Sequence, residues 1–283
     1  MKNLTLSIPS GFSIGSLNIN FYGLIVAVAY LLALFVCFKI AKKRRFSSEN
    51  IVTLMFYVVP LFIIFARAYY VIARWETFDN FWDMLKFWDG GVAFFGGLFG
   101  GALGALLYCL IHKKNFFALA DVLAPALILA QALSRWGNFF NQEAYGFAVT
   151  DPALQWFPFA VFIDDCNIPI CNCGGEGWHY ATFFYESVLD LIGFTLLMVL
   201  LFKVRFKNSG MVAGIYLIFY GTMRAIIEPM RTDSLFWGNV RISFVLGILL
   251  AVVGLGYVLF CTILHRRKKT PFEKIMDVLK KDF

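Results

Sequence analysis

The chain has 283 residues, of which 60% are hydrophobic and only 15% are charged. Soluble domains carry roughly 25% charged residues and about half apolar ones, so this composition excludes a large soluble globular protein and indicates a polytopic membrane protein. The formal net charge of +7 does not indicate nucleic-acid binding, because the basic residues form short clusters that flank apolar segments.

Seven apolar segments, each of about 20 residues, are long enough to cross a bilayer. They are Phe21–Phe38, Ile51–Ile72, Gly91–Ile111, Phe116–Arg135, Tyr180–Phe202, Met211–Ile227 and Ile242–Leu264. Residues 1–20 lack the apolar core and the basic start of a removable signal peptide. We therefore predict an all-α protein with seven transmembrane helices, forming a single integral membrane domain over residues 1–283.

The Lys and Arg residues in the connections are distributed unevenly. Most of them follow the first, third, fifth and seventh segments, and the other connections carry few. Because cytoplasmic loops are enriched in Lys and Arg, we predict that the N-terminus is outside the cell and the C-terminus is in the cytoplasm. Residues 142–179 then form an extracytoplasmic loop, and residues 265–283 form a cytoplasmic tail.

The loop at residues 142–179 contains three of the six cysteines, Cys166, Cys171 and Cys173. Their odd number and their spacing match no common zinc framework, which leaves a disulfide, free thiols and, less favoured, a metal site as alternatives. The other three cysteines lie in apolar segments and are predicted to be packing residues. Because the chain has no compact ligand set such as H-x-x-x-H, we predict no catalytic metal and no cofactor.

Glycines are concentrated at the start of the third segment, in the run Gly96–Gly101. The small-xxx-small spacing that continues to Gly104 favours close helix packing, and we expect this role for Gly97, Gly101 and Gly104. Gly90, Gly91 and Gly96 lie nearer the predicted outer surface, where a bare backbone would instead admit a lipid headgroup.

Charged and amide side chains interrupt the apolar segments at a few positions. The fourth segment ends at Arg135 and is followed by Asn138 and Asn141. The second and sixth segments contain Arg67 and Arg224, respectively. An Arg at the bilayer centre costs about 3 kcal/mol on insertion scales, and Arg suits bidentate phosphate recognition. We predict that the three arginines converge on one anionic group near the outer surface. The alternative is an ion-pair network that fixes helix packing or, for Arg67 alone, a side chain that extends to the interface.

Three acidic residues are expected at the same level, namely Glu143, Glu186 and Glu228. Arg224 and Glu228 are four residues apart on one predicted helix face and are able to form an ion pair. Tyr220 precedes Arg224 by four residues on that same face.

These motifs resemble those of the prolipoprotein diacylglyceryl transferases, bacterial membrane enzymes that lipidate lipoprotein precursors. The family pattern G-R-x-G-N-F-x-N-x-E-x-x-G is matched from Ser134, which replaces the first Gly, to Gly146. The pattern Y-G-x-x-R-x-x-x-E is matched from Tyr220 to Glu228. Three shorter elements are matched by His179, Thr182, Tyr185 and Glu186 (with Ala181 for Pro), by Tyr22 and Gly23, and by Arg67, Tyr69 and Tyr70.

The resemblance implies a reaction between phosphatidylglycerol and an exported prolipoprotein, in whose signal peptide a lipobox cysteine supplies the thiol. A thioether forms with the diacylglyceryl unit, and glycerol phosphate is released. The enzyme is expected in the bacterial plasma membrane as a monomer, with its active site on the extracytoplasmic side. The implied catalytic residues are Arg135, Arg224, Glu143, Glu228, Asn138, Tyr220 and His179. The implied substrate-binding residues are Arg135, Arg224, Tyr22, Gly96, Gly97, Asn141, Gly146, Arg67 and Glu186.

One departure from the family concerns the proton acceptor. Many members carry His in an H-G-G-L element, where this chain has Phe95 before Gly96. A phenyl ring cannot take up a proton, so we rank Glu143 or Glu228 first as the base, then His179. A last alternative is that the cationic site itself lowers the pKa of the substrate thiol.

Two other functional classes fit parts of the sequence. A transporter or channel for an organic anion would also line its pathway with arginines, but the inner halves of the segments carry no basic counterparts and no matched broken helices. A non-catalytic assembly factor would explain the loop at residues 142–179 but not the intramembrane polar residues.

Overall fold

The computed structural model describes residues 10–15, 17–44, 46–78, 80–86, 93–163, 177–204, 206, 208–232, 234, 236–237 and 240–267. Eight α-helices account for most of this part of the chain. They are α1 (Phe21–Lys43), α2 (Ser48–Ala73), α3 (Phe81–Leu85), α4 (Phe94–Ile111), α5 (Phe116–Phe140), α6 (Thr182–Lys203), α7 (Met211–Ile227) and α8 (Ile242–Arg267). Cys166, Cys171, Cys173 and the tail beyond Arg267 lie outside the described residues.

Six of these helices are long and apolar enough to cross a membrane, namely α1, α2, α5, α6, α7 with its following turn, and α8. The remaining predicted segment corresponds to α4, whose apolar part, Gly96–Ile111, is shorter. The polytopic membrane class is therefore confirmed. The number of seven spans and their orientation stay predictions.

Helix ends follow local capping chemistry. Ser47 caps α2 by accepting a hydrogen bond from the backbone N–H of Asn50 at 3.2 Å. Asn115 accepts from the N–H groups of Phe117 and Ala118 at the start of α5, satisfying donors that have no partner within the helix. Gly210 precedes α7 with φ of +88°, a conformation that favours Gly.

Three antiparallel two-stranded hairpins supplement the helices. β1 (Gly11–Ile14) pairs with β2 (Leu17–Asn20), β3 (Ala160–Ile163) with β4 (Gly177–Tyr180), and β5 (Phe236–Trp237) with β6 (Val240–Arg241). The all-α prediction did not include these hairpins. Single bridges join Ala148 to His179 and Gly146 to Arg231, so the segment after α5 is tied both to β4 and to the chain after α7.

The chain divides into two compact units. The unit of residues 37–122 is built on the packing of α2 against α4. A methyl group added to Gly96 would collide with the carbonyl oxygen of Phe65, and one added to Gly104 would lie 2.7 Å from that of Tyr57. Because real Cβ atoms do not approach backbone oxygens so closely, these glycines permit the contact, as the small-xxx-small spacing predicts for Gly104.

The second unit comprises residues 1–36 and 123–283, and it packs α6 on α7 and α7 on α8. Here too glycines allow close approach. A Cβ on Gly221 would meet the carbonyl oxygen of Gly247, and one on Gly254 would lie 2.6 Å from that of Gly214. The side chains of Tyr145, Ile163 and Phe183 form a small buried core with their neighbours. This core lies at the start of α6, the end of the helix that is predicted to be extracytoplasmic.

Candidate active site

Five charged side chains meet within the unit of residues 1–36 and 123–283. Arg135 comes from α5, Glu186 from α6 and Arg224 from α7. Glu228 begins the 3₁₀ turn Glu228–Met230 that continues α7, and Arg231 follows this turn. We call these five residues the Glu186 cluster.

Glu186 is the centre of the cluster and is fully buried. It forms an ion pair with Nη2 of Arg135. Nη1 of Arg224 donates to both of its carboxylate oxygens at 3.0 Å, and Nη1 of Arg231 lies 3.4 Å from Oε1. An isolated buried carboxylate costs several kcal/mol in lost hydration, so three guanidinium groups are what allow Glu186 to remain ionised here.

Glu228 supplies the second carboxylate of the cluster and forms the predicted ion pair with Arg224, whose Nη2 lies 2.7 Å from Oε2. This contact has the distance of an ion pair but not the alignment of a hydrogen bond, and neither Glu228 oxygen accepts an aligned hydrogen bond from the described residues. Nη1 of Arg241 donates to the carbonyl oxygens of Glu228 at 2.5 Å and of Arg231 at 3.1 Å. These hydrogen bonds fix the main chain that carries Glu228.

The arginines carry the accessible side of the cluster. The side chains of Arg135, Arg224 and Arg231 are 16%, 13% and 10% exposed, whereas Glu186 has no exposed surface. Nε of Arg135 is buried and has no hydrogen-bond partner among the described residues. Three guanidinium groups against two carboxylates leave one net positive charge, and this charge lies toward the accessible side.

Glu143 belongs to a different polar group, at the end of α5. Its Oε1 accepts hydrogen bonds from Nδ2 of Asn138 at 2.7 Å and from Nδ2 of Asn141 at 3.4 Å. The residues on either side, Gln142 and Ala144, have positive φ angles of 50° and 58°. Non-Gly residues adopt this conformation only at a cost, so the strained turn holds the Glu143 carboxylate against the two amides.

Tyr22 packs against the end of α5 at Gly137, two residues after Arg135 and one residue before Asn138. Its ring packs on Gly137, where an added Cβ would lie 2.8 Å from Cδ2 of the ring. Gly137 therefore allows the early F-Y-G element to reach the end of α5.

His179 and Gly146 have structural partners. His179, the last residue of the predicted extracytoplasmic loop, lies in β4, and α6 begins at Thr182. The imidazole is buried and packs against the Tyr145 ring in a tilted arrangement, with ring centroids 4.8 Å apart. Its Nδ1 donates to the carbonyl oxygen of Gly146 at 3.0 Å. A Cβ on Gly146 would lie 2.9 Å from Cβ of Tyr180, so only Gly fits against this strand.

Comparison with known proteins identifies the family of the whole chain. A family model described as prolipoprotein diacylglyceryl transferase matches residues 9–279. The chain belongs to this family.

Three relatives have the name phosphatidylglycerol–prolipoprotein diacylglyceryl transferase, and the name of the Clostridium perfringens protein adds the number 1. The protein of Listeria monocytogenes serotype 4a is 40% identical over 254 residues, covering 89% of each chain. That of Clostridium perfringens is 38% identical over 265 residues, covering 92% of this chain and 96% of its own. That of Streptococcus equi subsp. zooepidemicus is 37% identical over 255 residues, covering 88% and 93%.

The charged and amide motif residues in the second unit thus divide between the Glu186 cluster and the group formed by Glu143, Asn138 and Asn141. Arg67, Gly96 and Gly97 belong to the unit of residues 37–122. Nε of Arg67 donates to the carbonyl oxygen of Met84 at 2.8 Å, and Nη2 donates to that of Asp83 at 2.7 Å. A Cβ on Gly97 would lie 2.5 Å from the Phe62 ring. The side chain of Phe95 lies outside what the structure describes.

Several residues near the cluster were not among the predicted site residues. Arg231 lies three residues after Glu228, the last residue of the second motif. Asp190 lies four residues after Glu186 and is fully buried. Nε1 of Trp136 donates to Oγ of Ser187 at 3.2 Å, and Tyr216 stacks on Tyr220 with ring centroids 5.8 Å apart. An acid at i+4 from Glu186 within an apolar segment was a signal that the sequence offered for Asp190.

Cys37, Cys109 and Cys261 are buried free thiols, as predicted for packing residues.

An open groove with a cavity volume of about 360 Å³ lies between α7 and α8 and is lined almost entirely by apolar atoms. Its α7 wall includes Gly221, Thr222 and Ala225, on the helix face next to the one that carries Arg224.

Proposed function

We propose that the protein transfers the diacylglyceryl group of phosphatidylglycerol to the lipobox cysteine of a prolipoprotein, forming a thioether and releasing glycerol phosphate. Membership of the family supports the reaction class. The observation that carries the assignment of the site is the meeting of Arg135, Arg224 and Arg231 on one buried carboxylate, with one net positive charge left for a ligand.

The lipid phosphate is the ligand that this charge fits. A phosphodiester carries one negative charge, equal and opposite to the net charge of the Glu186 cluster. Arg135 and Arg224 would hold the phosphate through the guanidinium N–H groups that Glu186 and Glu228 leave free. When the bond between the glyceryl carbon and the phosphate oxygen breaks, the leaving phosphate gains a second negative charge, and donors already in place stabilise it without reorganisation.

The remaining site residues fit supporting roles. Asn138 and Asn141 orient Glu143, and Tyr22 packs beside Asn138 on Gly137. Gly146 and His179 hold the chain that leads to Arg231, so we assign His179 a positioning role. Glu143 and Glu228 remain the first candidates for a base that contacts the substrate directly.

The apolar groove beside Arg224 suits an acyl chain of the lipid. A lipid that approaches along this groove would bring its headgroup to the arginines at the end of α7, which aligns the reacting carbon with the incoming thiol. We further propose seven transmembrane spans with the N-terminus outside and the C-terminus in the cytoplasm. The protein would then act as a monomer in the bacterial plasma membrane, with the site facing the extracytoplasmic side.

The test is a transfer reaction with purified protein, phosphatidylglycerol vesicles and a lipobox peptide. We expect the mass of the peptide to increase by one diacylglyceryl group, with one glycerol phosphate released per peptide modified. A peptide in which Ser replaces the lipobox Cys is the matched control and should remain unmodified.

An unmodified Cys peptide, in the presence of folded protein and intact lipid, would refute the proposed function. Reconstituted liposomes provide the contrasting readout. Saturable flux of an organic anion without peptide modification would favour the transporter class instead.

A further inference from the structure

Gln131 and Tyr216 form a polar pair within two apolar helices, and the functional assignment above does not use it. Nε2 of Gln131 in α5 donates to the hydroxyl oxygen of Tyr216 in α7 at 3.1 Å. The same hydroxyl group donates to Oε1 of Gln131 at 3.3 Å. Both side chains are partly buried, and an amide or hydroxyl group without a partner is costly in an apolar environment. The two side chains satisfy each other, and they join α5 directly to α7.

This pair lies on the two helices that carry the phosphate-binding arginines. Gln131 precedes Arg135 by four residues on α5, and Tyr216 precedes Arg224 by eight residues on α7. At about 1.5 Å per residue, the arginines follow the pair by about 6 Å along α5 and about 12 Å along α7. On the intermediate turn of α7, the ring of Tyr220 stacks on that of Tyr216, with centroids 5.8 Å apart and an interplanar angle of 17°. A displacement of the pair would therefore be passed along both helices to the Glu186 cluster.

The connection between α5 and α7 depends on long side chains. The main chain of α7 lies close to α6 and to α8. Toward α5, the contacts at the level of the site pass through Glu186, which forms ion pairs with Arg135 and Arg224. These two guanidinium groups repel each other, so their separation depends on what holds the two helices together. The pair of Gln131 and Tyr216 supplies a second connection, and this connection adds no charge to the site.

The separation of Arg135 and Arg224 matters because both are assigned to one phosphate. Bidentate contacts between guanidinium and phosphate groups require a defined geometry. A misplacement of about 1 Å, even one caused far from the reacting atoms, can reduce a rate by about a hundredfold. A connection below the cluster would prevent such a misplacement while the leaving phosphate gains its second negative charge.

We propose that Gln131 and Tyr216 are positioning residues, whose hydrogen bonds hold Arg135 and Arg224 at the spacing that one lipid phosphate requires. This inference rests on the proposed function. A packing role alone would affect only the stability of the protein, to which hydrogen bonds between membrane helices contribute modestly. The positioning role affects the rate of transfer and the binding of phosphate in molecules that remain folded.

The test uses the variants Tyr216→Phe and Gln131→Met, which remove the hydrogen bonds and nearly preserve the size of the side chains. For each variant we expect kcat per folded molecule to fall by about tenfold. The dissociation constant of glycerol phosphate, measured by calorimetry in detergent micelles, should rise by about tenfold for the same reason. The KM for the lipobox peptide should stay within about twofold of the wild type, because the peptide is not held by these arginines.

The double variant tests whether the two side chains act as one unit. Because either single change breaks the same contact, the double variant should lose no more activity than each single variant. Tyr257→Phe is the matched control, since the Tyr257 hydroxyl group donates to the carbonyl oxygen of Ser209 at 2.7 Å within the same unit. This variant should retain the kcat and the glycerol phosphate affinity of the wild type.

A loss of kcat no larger than that of Tyr257→Phe would overturn the positioning role, and so would single losses that add up in the double variant. If neither single variant folds, Gln131→Asn decides by the same measurements, because it keeps the amide group but shortens the side chain by one carbon. A wild type that neither binds glycerol phosphate nor modifies the peptide would refute the proposed function instead.

Discussion

The two units solve the same problem, the burial of arginine in an apolar protein, in different ways. Arg67 donates to the main-chain carbonyl oxygens of Met84 and Asp83 and lies over the rings of Tyr70 and Phe78 at 5.7 and 5.3 Å. The partners of Arg67 named here are neutral groups of the protein. The arginines of the Glu186 cluster instead share two carboxylates, and one positive charge remains.

The difference shows how the partners of a buried arginine indicate its role. Carbonyl oxygens and aromatic rings join Arg67 to α3 and the preceding turn, which is a packing function. Shared carboxylates hold several guanidinium groups together although they repel one another, and only this arrangement creates a place for a further anion. Residue type and segment alone did not distinguish the two cases.

The largest effect is expected from removing the charge at the centre of the cluster. Glu186→Gln keeps the shape of the side chain but leaves three buried guanidinium groups without their shared carboxylate. We expect the free energy of unfolding to fall by about 3–5 kcal/mol, as measured by denaturant titration in detergent micelles. Glu76→Gln, at an exposed turn, is the control and should change it by less than about 0.5 kcal/mol. A loss equal to that of the control would mean that Glu186 is not ionised.

The next effect tests whether the cluster recognises phosphate by its geometry. Arg224→Lys retains the positive charge but cannot contact Glu186, Glu228 and a phosphate at once, because an ammonium group lacks the planar fork. We expect the transfer rate to fall by about 10²–10³-fold, followed by the mass of the lipobox peptide. Arg74→Lys, an exposed position at the end of α2, should retain its rate. A similar retention by Arg224→Lys would contradict bidentate recognition.

A smaller effect should follow from disturbing the support of Arg231. In Gly146→Ala the added methyl group would lie 3.0 Å or less from Cβ of Tyr180 and the carbonyl oxygen of Met230. Overpacking of this kind lowers the free energy of unfolding by about 1–3 kcal/mol. The displaced chain should also slow transfer. We expect the fall in transfer rate, converted to a free energy, to be at least as large as the fall in the free energy of unfolding. Gly256→Ala, where an added Cβ meets no atom within 4 Å, serves as the comparison. Equal behaviour of the two variants would count against a role for Gly146.

The smallest effect on transfer is expected on the other side of the comparison. Arg67→Gln removes the charge and one of the donors to the loop that carries α3. It should lower the free energy of unfolding by about 1–3 kcal/mol. The transfer rate per folded molecule should fall at least tenfold less than in Arg224→Lys. A loss of rate as large as that of Arg224→Lys would show that Arg67 binds the lipid phosphate, as the sequence predicts for all three arginines.

Much of this architecture could be predicted because its causes are local. Apolar length located the long helices, and the spacing of four residues predicted the ion pair of Arg224 with Glu228, which the structure confirms. Helix ends were less accurate. α5 continues to Phe140 rather than ending at Arg135. Beyond Arg135, the Trp136 ring packs against the rings of Phe183 and Phe184 in α6.

The features that the sequence did not predict depend on long-range contacts. The bridge between Gly146 and Arg231 and the ion pair between Arg135 and Glu186 join positions far apart in the chain, and no local spacing encodes them. Glu143 was grouped with Glu186 and Glu228 because of its predicted depth, but the two asparagines beside it supply its hydrogen bonds. His179 was placed at the end of the predicted loop, and its pairing with Val161 in β3 could not be seen from either strand alone.

The hydrogen bonds of Arg241 connect the start of α8 to the turn that carries Glu228 and Arg231. This side chain stands immediately before α8 and holds the carbonyl oxygens of Glu228 and Arg231. A helix whose apolar length exceeds the thickness of the surrounding lipid tilts to compensate, and a tilt of α8 would pull on that turn. The lipid bilayer would thus act on the enzyme as a regulator of rate as well as a source of substrate, with thinner or thicker membranes altering how the guanidinium groups are spaced.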